Sequence, residues 1–350
     1  MSNIDKQVIS KVITRPLALH TTHMTPETII RLRGAYRRLA ALAGRNVAQE
    51  PAPPPCIRDK ERIQHIIAER ISSGQPMMMA RFGSIELTSL DNALRMRQGS
   101  NRPYITWRGE PAFFHESQAR QLCNNAGFFP MPTPQSMDRL LDLMMRDMRE
   151  VDILGSWRYN EQLFARELAN AVKVDRELST PLLTDKPWTL ALEGKRVLVI
   201  HPFAETIESQ YSRIDEVFPQ GTIMPPFQLQ TIKAVQTAGG GSDKRFSDWF
   251  EALQWMKDET DRRHYDVALI GCGAYGFPLA AHCKRTGHQA LHIGGGLQLL
   301  FGIKGRRWES SNIYKTDYPY AATYYNDYWV RPAESERPQG AEKVEQGCYW

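Results

Sequence analysis

The sequence predicts an α/β protein: a Rossmann-like parallel sheet flanked by helices, preceded by a helical extension and followed by an arm. Three observations carry this. Residues 266–296, DVALIGCGAYGFPLAAHCKRTGHQALHIGGG, read as strand, glycine turn, helix, strand and second glycine turn. The run VLVIHPF at 197–203 is apolar enough for a strand buried on both faces. Between residues 59 and 296, short apolar runs alternate with segments of helical period, the pattern that builds a parallel sheet.

The elements follow in order. Residues 24–48 have helical character, with Thr25 as a cap before Pro26 and Glu27, and Leu32, Tyr36 and Leu39 near one face. The proline-rich EPAPPP at 50–55 ends this helix and marks a boundary, so the chain divides into 1–55, 56–331 and 332–350. Ile63, Ile66, Ile67 and Ile71 recur at helical spacing before Gly74 and Pro76 break the pattern. A buried strand at 77–82 and a helix at 85–96 come next, with RFGSIE at the turn between them. Residues 101–135 are rich in Pro, Phe and Gly, and Ser136 opens a helix with Leu140, Leu141, Met144 and Met148 on its apolar side. Beyond it the pattern predicts a strand at 151–157, a helix at 161–172, a strand at 197–203 and a helix at 206–214. The glycines at 239–241 form a loop, and a helix at 246–261 leads into the glycine motif. The stretch 332–347 is polar, with Pro and Glu, and reads as a surface arm or a partly disordered tail.

Composition narrows the classes. The chain has 350 residues, 42% hydrophobic, and its apolar runs stop short of the roughly 20 residues of a membrane span. The charged first residues lack the apolar core of a secretory signal, so a cytoplasmic protein is expected, at most peripheral at the inner face of a membrane. Five cysteines without C-x-x-C spacing read as reduced and mostly structural; Cys272, inside the glycine turn, reads as a small buried residue, with a nucleophile as the alternative. A net charge of +5 suits an acidic substrate or an anionic membrane surface, and no basic run interleaved with aromatics points to nucleic acid.

The candidate chemistry gathers at strand ends. Gly271, Gly273 and Gly276, with Tyr275 among them, have the G-x-G-x-x-G spacing that brings backbone N–H groups to a phosphate at a helix N-terminus. An ordinary tight turn gives the same spacing. A dinucleotide site wants an acidic residue about 20 positions on. Here no carboxylate lies between Asp266 and Glu309, and the next strand runs into Gly294, Gly295 and Gly296. In RFGSIE, Arg81 can clamp a phosphate beside Gly83 and Ser84, and Glu86 can bind a divalent ion or accept a proton; a plain ion pair between them is the alternative. His201 ends its strand at the same sheet edge as a candidate base or a structural group, and His282, His288 and His292 read as structural. After the glycines, Gln298 can hydrogen-bond, and Lys304, Arg306 and Arg307 form a basic cluster able to neutralise a diphosphate or simply to face solvent. The aromatic run at 318–329 reads as core packing or as flat faces for sugar rings.

RFGSIE after a strand, followed by DVALIGCGAYGFPLAAHCKRTG and LHIGGGLQLLFGIKGRRW, resembles the bacterial GT-D type glycosyltransferases over roughly residues 60–310. That family typically has RFGDGE, whose Asp-x-Glu pair is associated with a divalent metal and the donor diphosphate. Arg81, Gly83 and Glu86 match, while Ser84 stands where the Asp would be, which weakens a Mn²⁺ or Mg²⁺ site. The resemblance implies transfer of a sugar from a nucleotide-sugar donor, such as a UDP-sugar, to a glycan or lipid-linked glycan in surface or capsular polysaccharide assembly. The readings weighed against it are an NAD(P)-dependent oxidoreductase and a non-catalytic nucleotide-binding assembly partner.

Overall fold

The computed structural model describes residues 26–44, 51–99, 116–309, 318–338, 340–344 and 347–350. The Thr25 cap, the charged segment 1–20, the stretch 101–115 and tail positions 339, 345 and 346 lie outside the described residues. Seven strands form one sheet in which every pairing is parallel: β1 (Met77–Ala80), β2 (Ile153–Ser156), β3 (Val172–Asp175), β4 (Arg196–His201), β5 (Gln228–Lys233), β6 (Val267–Ile270) and β7 (Gln289–His292). Their spatial order is β3-β2-β1-β7-β6-β4-β5.

Alternation along the strands builds two cores. Met78, Leu198, Ile200, Ala268 and Ile270 face one, and Met79, Val197, Val199, Leu269 and Leu291 face the other. The first core is covered by α3 (Ser84–Arg97), α4 (Glu116–Ala126), α5 (Pro134–Met148), α8 (Trp249–Asp261) and α9 (Gly276–Arg285). The second is covered by α2 (Lys60–Ser72), α6 (Ala204–Tyr211), the short α7 (Ile214–Val217) and the 3₁₀ helix Gly294–Phe301. Helix α1 (Pro26–Leu42) precedes them. On α5 the stripe Met137, Leu140, Leu141, Met144 and Met148 is buried, each side chain contributing about 1.5–3 kcal/mol.

The exits from the central strands position the site. β1 leads to α3 and β6 to α9 over the first core, whereas β7 leads to Gly294–Phe301 and β4 to α6 over the second. Neighbouring strands therefore send the chain to opposite faces, and the backbone parts above their carboxyl ends to leave a crevice.

Several expectations change. Ser136 does not open its helix: Thr133 is the cap, accepting from the Ser136 N–H, and Ser136 closes the capping box. Residues 161–172 do not form an α-helix but a 3₁₀ helix, Tyr159–Phe164, followed by turns and β3. Buried Glu161 accounts for this, because its carboxylate accepts from the N–H groups of Trp157 and Arg158 and from the Ser156 hydroxyl, tying the segment to the end of β2. Strands β3 and β5 are new: as sheet edges they bury only Val174 and Ile232 fully, so no apolar run announces them. The C-terminal stretch is not a surface arm. Glu336, Ala341, Val344 and Cys348 are buried, and Val344, Tyr349 and Trp350 line the crevice.

Candidate functional site

Two chambers lie side by side along the carboxyl edge of the sheet. The first, of about 200 Å³, spans the ends of β1, β7, β6 and β4. The second, of about 310 Å³, spans the ends of β3, β2, β1 and β7. Arg81, Trp157, Arg176, His292 and Arg307 line both and form the partition.

Three arginines meet at that partition from distant parts of the chain. Arg81 leaves β1; burial and the neighbouring Arg176 push its pKa down to about 10, with Arg307 adding repulsion and Tyr349 and Glu86 opposing it. It remains a cation at neutral pH. Arg176 leaves β3, where Asp175 accepts from the N–H groups of Glu177 and Leu178 at 2.9 and 3.2 Å and so shapes the turn. Burial and Arg307 lower Arg176 as well, while Glu177 supports its charge. Its guanidinium sits 4.2 Å from the Trp157 ring centroid, and the Trp157 indole N–H donates to the Phe82 carbonyl at 3.0 Å. Arg307 donates from its backbone to Cys348 O and from its side chain to the Tyr349 hydroxyl, both at 3.0 Å.

The structure brings most of the predicted residues to the first chamber. Arg81, Gly83, Ser84 and Glu86 reach it from β1 and α3; Gly271, Gly273 and Tyr275 from the turn after β6; Gly294, Gly295 and Gln298 from the turn after β7; and His201 and Arg307 complete its wall. Gly276 is not on that wall. It makes room for His292, whose Nδ1 would lie 2.2 Å from a Cβ at that position. Gly296 opens into the second chamber. The basic cluster divides: Lys304 lies 5.7 Å from the Tyr325 ring centroid, Arg306 is exposed, and only Arg307 turns inward.

Most of these glycines are filled by the protein's own side chains. A Cβ at Gly83 would strike the Glu86 carboxylate, one at Gly294 the Arg81 guanidinium, and one at Gly295 the Tyr349 ring. A Cβ at Gly271 would come within 2.8 Å of both Gly294 O and the His201 ring. The expected cradle of bare backbone is thus replaced by packed side chains, and Tyr275 belongs to the core, with its ring stacked 5.0 Å from Trp249 and its hydroxyl 3.2 Å from the Thr237 hydroxyl.

His201 does not suit a base. Burial drives its pKa down to about 3, and Nδ1 already accepts from the Phe203 N–H at 3.0 Å, so the proton resides on Nε2 and the ring is a neutral donor. His292 is also held near 3 by burial and Arg81. Its Nδ1 and the Oε1 of Gln298 are buried without a hydrogen-bond partner among the described residues, and both residues line the first chamber.

A resident divalent cation does not fit this donor set. Glu86 is the one carboxylate on the described wall of the first chamber, it shares the space with three arginines, and no group of three metal-ligating side chains occurs among the described residues.

Trp157, Arg176, Glu177, Tyr349 and Trp350 escaped the sequence reading. Arg176 and Glu177 follow an edge strand without an apolar signature, and the last two residues follow a polar stretch. The aromatic pair at the end of such a stretch was the available sign. Tyr349 is held by Gln298, whose side-chain amide donates to its carbonyl at 3.3 Å, and Trp350 packs edge-on 5.6 Å from Phe203. Comparison with family models, curated proteins and solved structures returned no match. Fold and site together define an α/β protein with an arginine-walled crevice at the carboxyl edge of a parallel sheet.

Proposed function

We propose that the protein is a glycosyltransferase that uses a nucleotide-sugar donor and delivers the sugar to a glycan or lipid-linked glycan acceptor. The observation that carries this reading is the convergence of Arg81, Arg176 and Arg307 on one partition, where they repel one another and concentrate positive charge. Glycosyl transfer breaks the bond between the anomeric carbon and the diphosphate, and the leaving group takes the electron pair. Guanidinium groups fixed where that charge develops stabilise it without a metal. Glu86 supports the charge of Arg81. The neutral Nε2–H of His201 adds a hydrogen bond, and Tyr349 and Trp350 offer aromatic faces to the nucleoside half.

The test is a thermal-shift and calorimetric panel of UDP-, GDP-, CMP- and dTDP-sugars and NAD(P)H, with and without Mn²⁺. Binding of one sugar nucleotide, independent of Mn²⁺ and weakened about tenfold or more in Arg176→Ala, supports the reading. A response confined to NAD(P)H replaces it with an oxidoreductase. Binding without transfer to any acceptor leaves a nucleotide-binding assembly partner.

A further inference from the structure

We infer that the second chamber is a carbohydrate subsite, which receives a neutral pyranose ring while the arginine partition holds the diphosphate. This inference rests on the transferase reading and assigns a place to the half of the ligand that the first chamber does not take. The two chambers differ in chemistry. The walls of the second include Trp157, Trp308 and Tyr320, and aromatic faces are surfaces on which the C–H face of a sugar ring packs. Glu177 is the one carboxylate on its described wall, an acceptor for sugar hydroxyls, with Ser179 and Thr180 beside it.

The aromatic walls are rigid. Trp188 is fully buried and donates from its indole to Ser179 O at 2.9 Å, and Trp157 is held by Phe82 O and by the Glu161 carboxylate. Space is left as well: a Cβ at Gly296 would meet nothing within 4 Å, whereas its neighbours Gly294 and Gly295 are filled by Arg81 and Tyr349. With a volume of about 310 Å³ the chamber reaches the lower end of the range of ligand sites. It shares Arg81, Arg176 and Arg307 with the first chamber, so a diphosphate held by them would lie between the two, the order in which a nucleotide-sugar presents its parts.

The experiment uses Gly296→Leu, which fills the chamber from a position with open space around it, and Glu177→Gln, which keeps the shape and removes the charge. Calorimetry with UDP, UDP-glucose, GDP and GDP-mannose compares both variants with the wild type. The expected result is a loss of about tenfold or more for the sugar-bearing ligand and a change within about twofold for the bare diphosphate. Equal losses for both ligands, or none for either, overturn the subsite and leave the transferase reading standing. If no nucleotide binds the wild type, that reading falls, and saturation-transfer NMR with methyl glucoside decides the chamber alone. A signal that Gly296→Leu abolishes supports the subsite, and its absence in the wild type overturns it.

Discussion

A methyl group at Gly294 would lie 2.3 Å from the Arg81 guanidinium in a backbone with φ of +70°, while the same group at Gly296 would meet nothing within 4 Å. Consecutive glycines thus carry unequal constraints. Gly294→Ala should destabilise the protein by about 1–2 kcal/mol through its left-handed backbone alone and displace Arg81 besides, whereas Gly296→Ala should stay within about 0.5 kcal/mol. Urea denaturation of the two variants measures the difference. The buried histidines make a second prediction at this scale. His201 and His292 are held near 3 against an ordinary 6.5, so the unfolded chain binds protons between these values that the folded chain does not. Their contribution is complete above about pH 6.5 and is lost as pH falls toward 3, with a slope of up to about 1.4 kcal/mol per pH unit for each histidine. Urea midpoints across that window should fall with acidification, and His201→Asn should flatten the slope.

At the scale of elements, the C-terminal stretch behaves as part of the domain because Glu336 caps α6. Its carboxylate accepts from the N–H groups of Glu205 and Thr206 at 2.8 and 3.2 Å and from the Thr206 hydroxyl, and the Ala333 N–H donates back to that hydroxyl at 3.0 Å. A carboxylate from far along the chain thus takes the position that an N-cap residue usually fills, where the helix dipole favours negative charge. Glu336→Ala should cost about 1–2 kcal/mol and expose the final residues to limited proteolysis before the sheet unfolds. Unchanged protease resistance would show that Gln298, Arg307 and the aromatic contacts hold the end by themselves. Nothing local in the stretch 332–347 announces this contact, since its partner lies some 130 positions earlier.

For the whole molecule, the partition concentrates positive charge where three chain segments meet, and such a site trades stability for binding. Removing one arginine relieves the repulsion felt by the other two. Arg176→Ala is therefore expected to melt at the same temperature as the wild type or higher, while its affinity for a nucleoside diphosphate falls about tenfold or more. A variant that loses affinity and stability together would show that Arg176 matters through its packing on Trp157 instead.

The parallel sheet was legible in the chain itself, because strands buried on both faces must be short apolar runs and their crossovers must carry a helical stripe; the runs at 77–80, 197–200 and 267–270 needed no partner to be recognised. Arg81, Glu86 and the glycine turns were legible for a related reason: they end such runs, and that is where a parallel sheet opens. The function of each glycine, the neutrality of His201, the division of the basic cluster and the entry of Arg176, Tyr349 and Trp350 into the crevice were not. Most of these depend on contacts between residues far apart in the chain, such as Gly294 with Arg81 and Arg307 with Tyr349. Local pattern records burial and period, whereas charge, protonation and available space belong to the assembled neighbourhood.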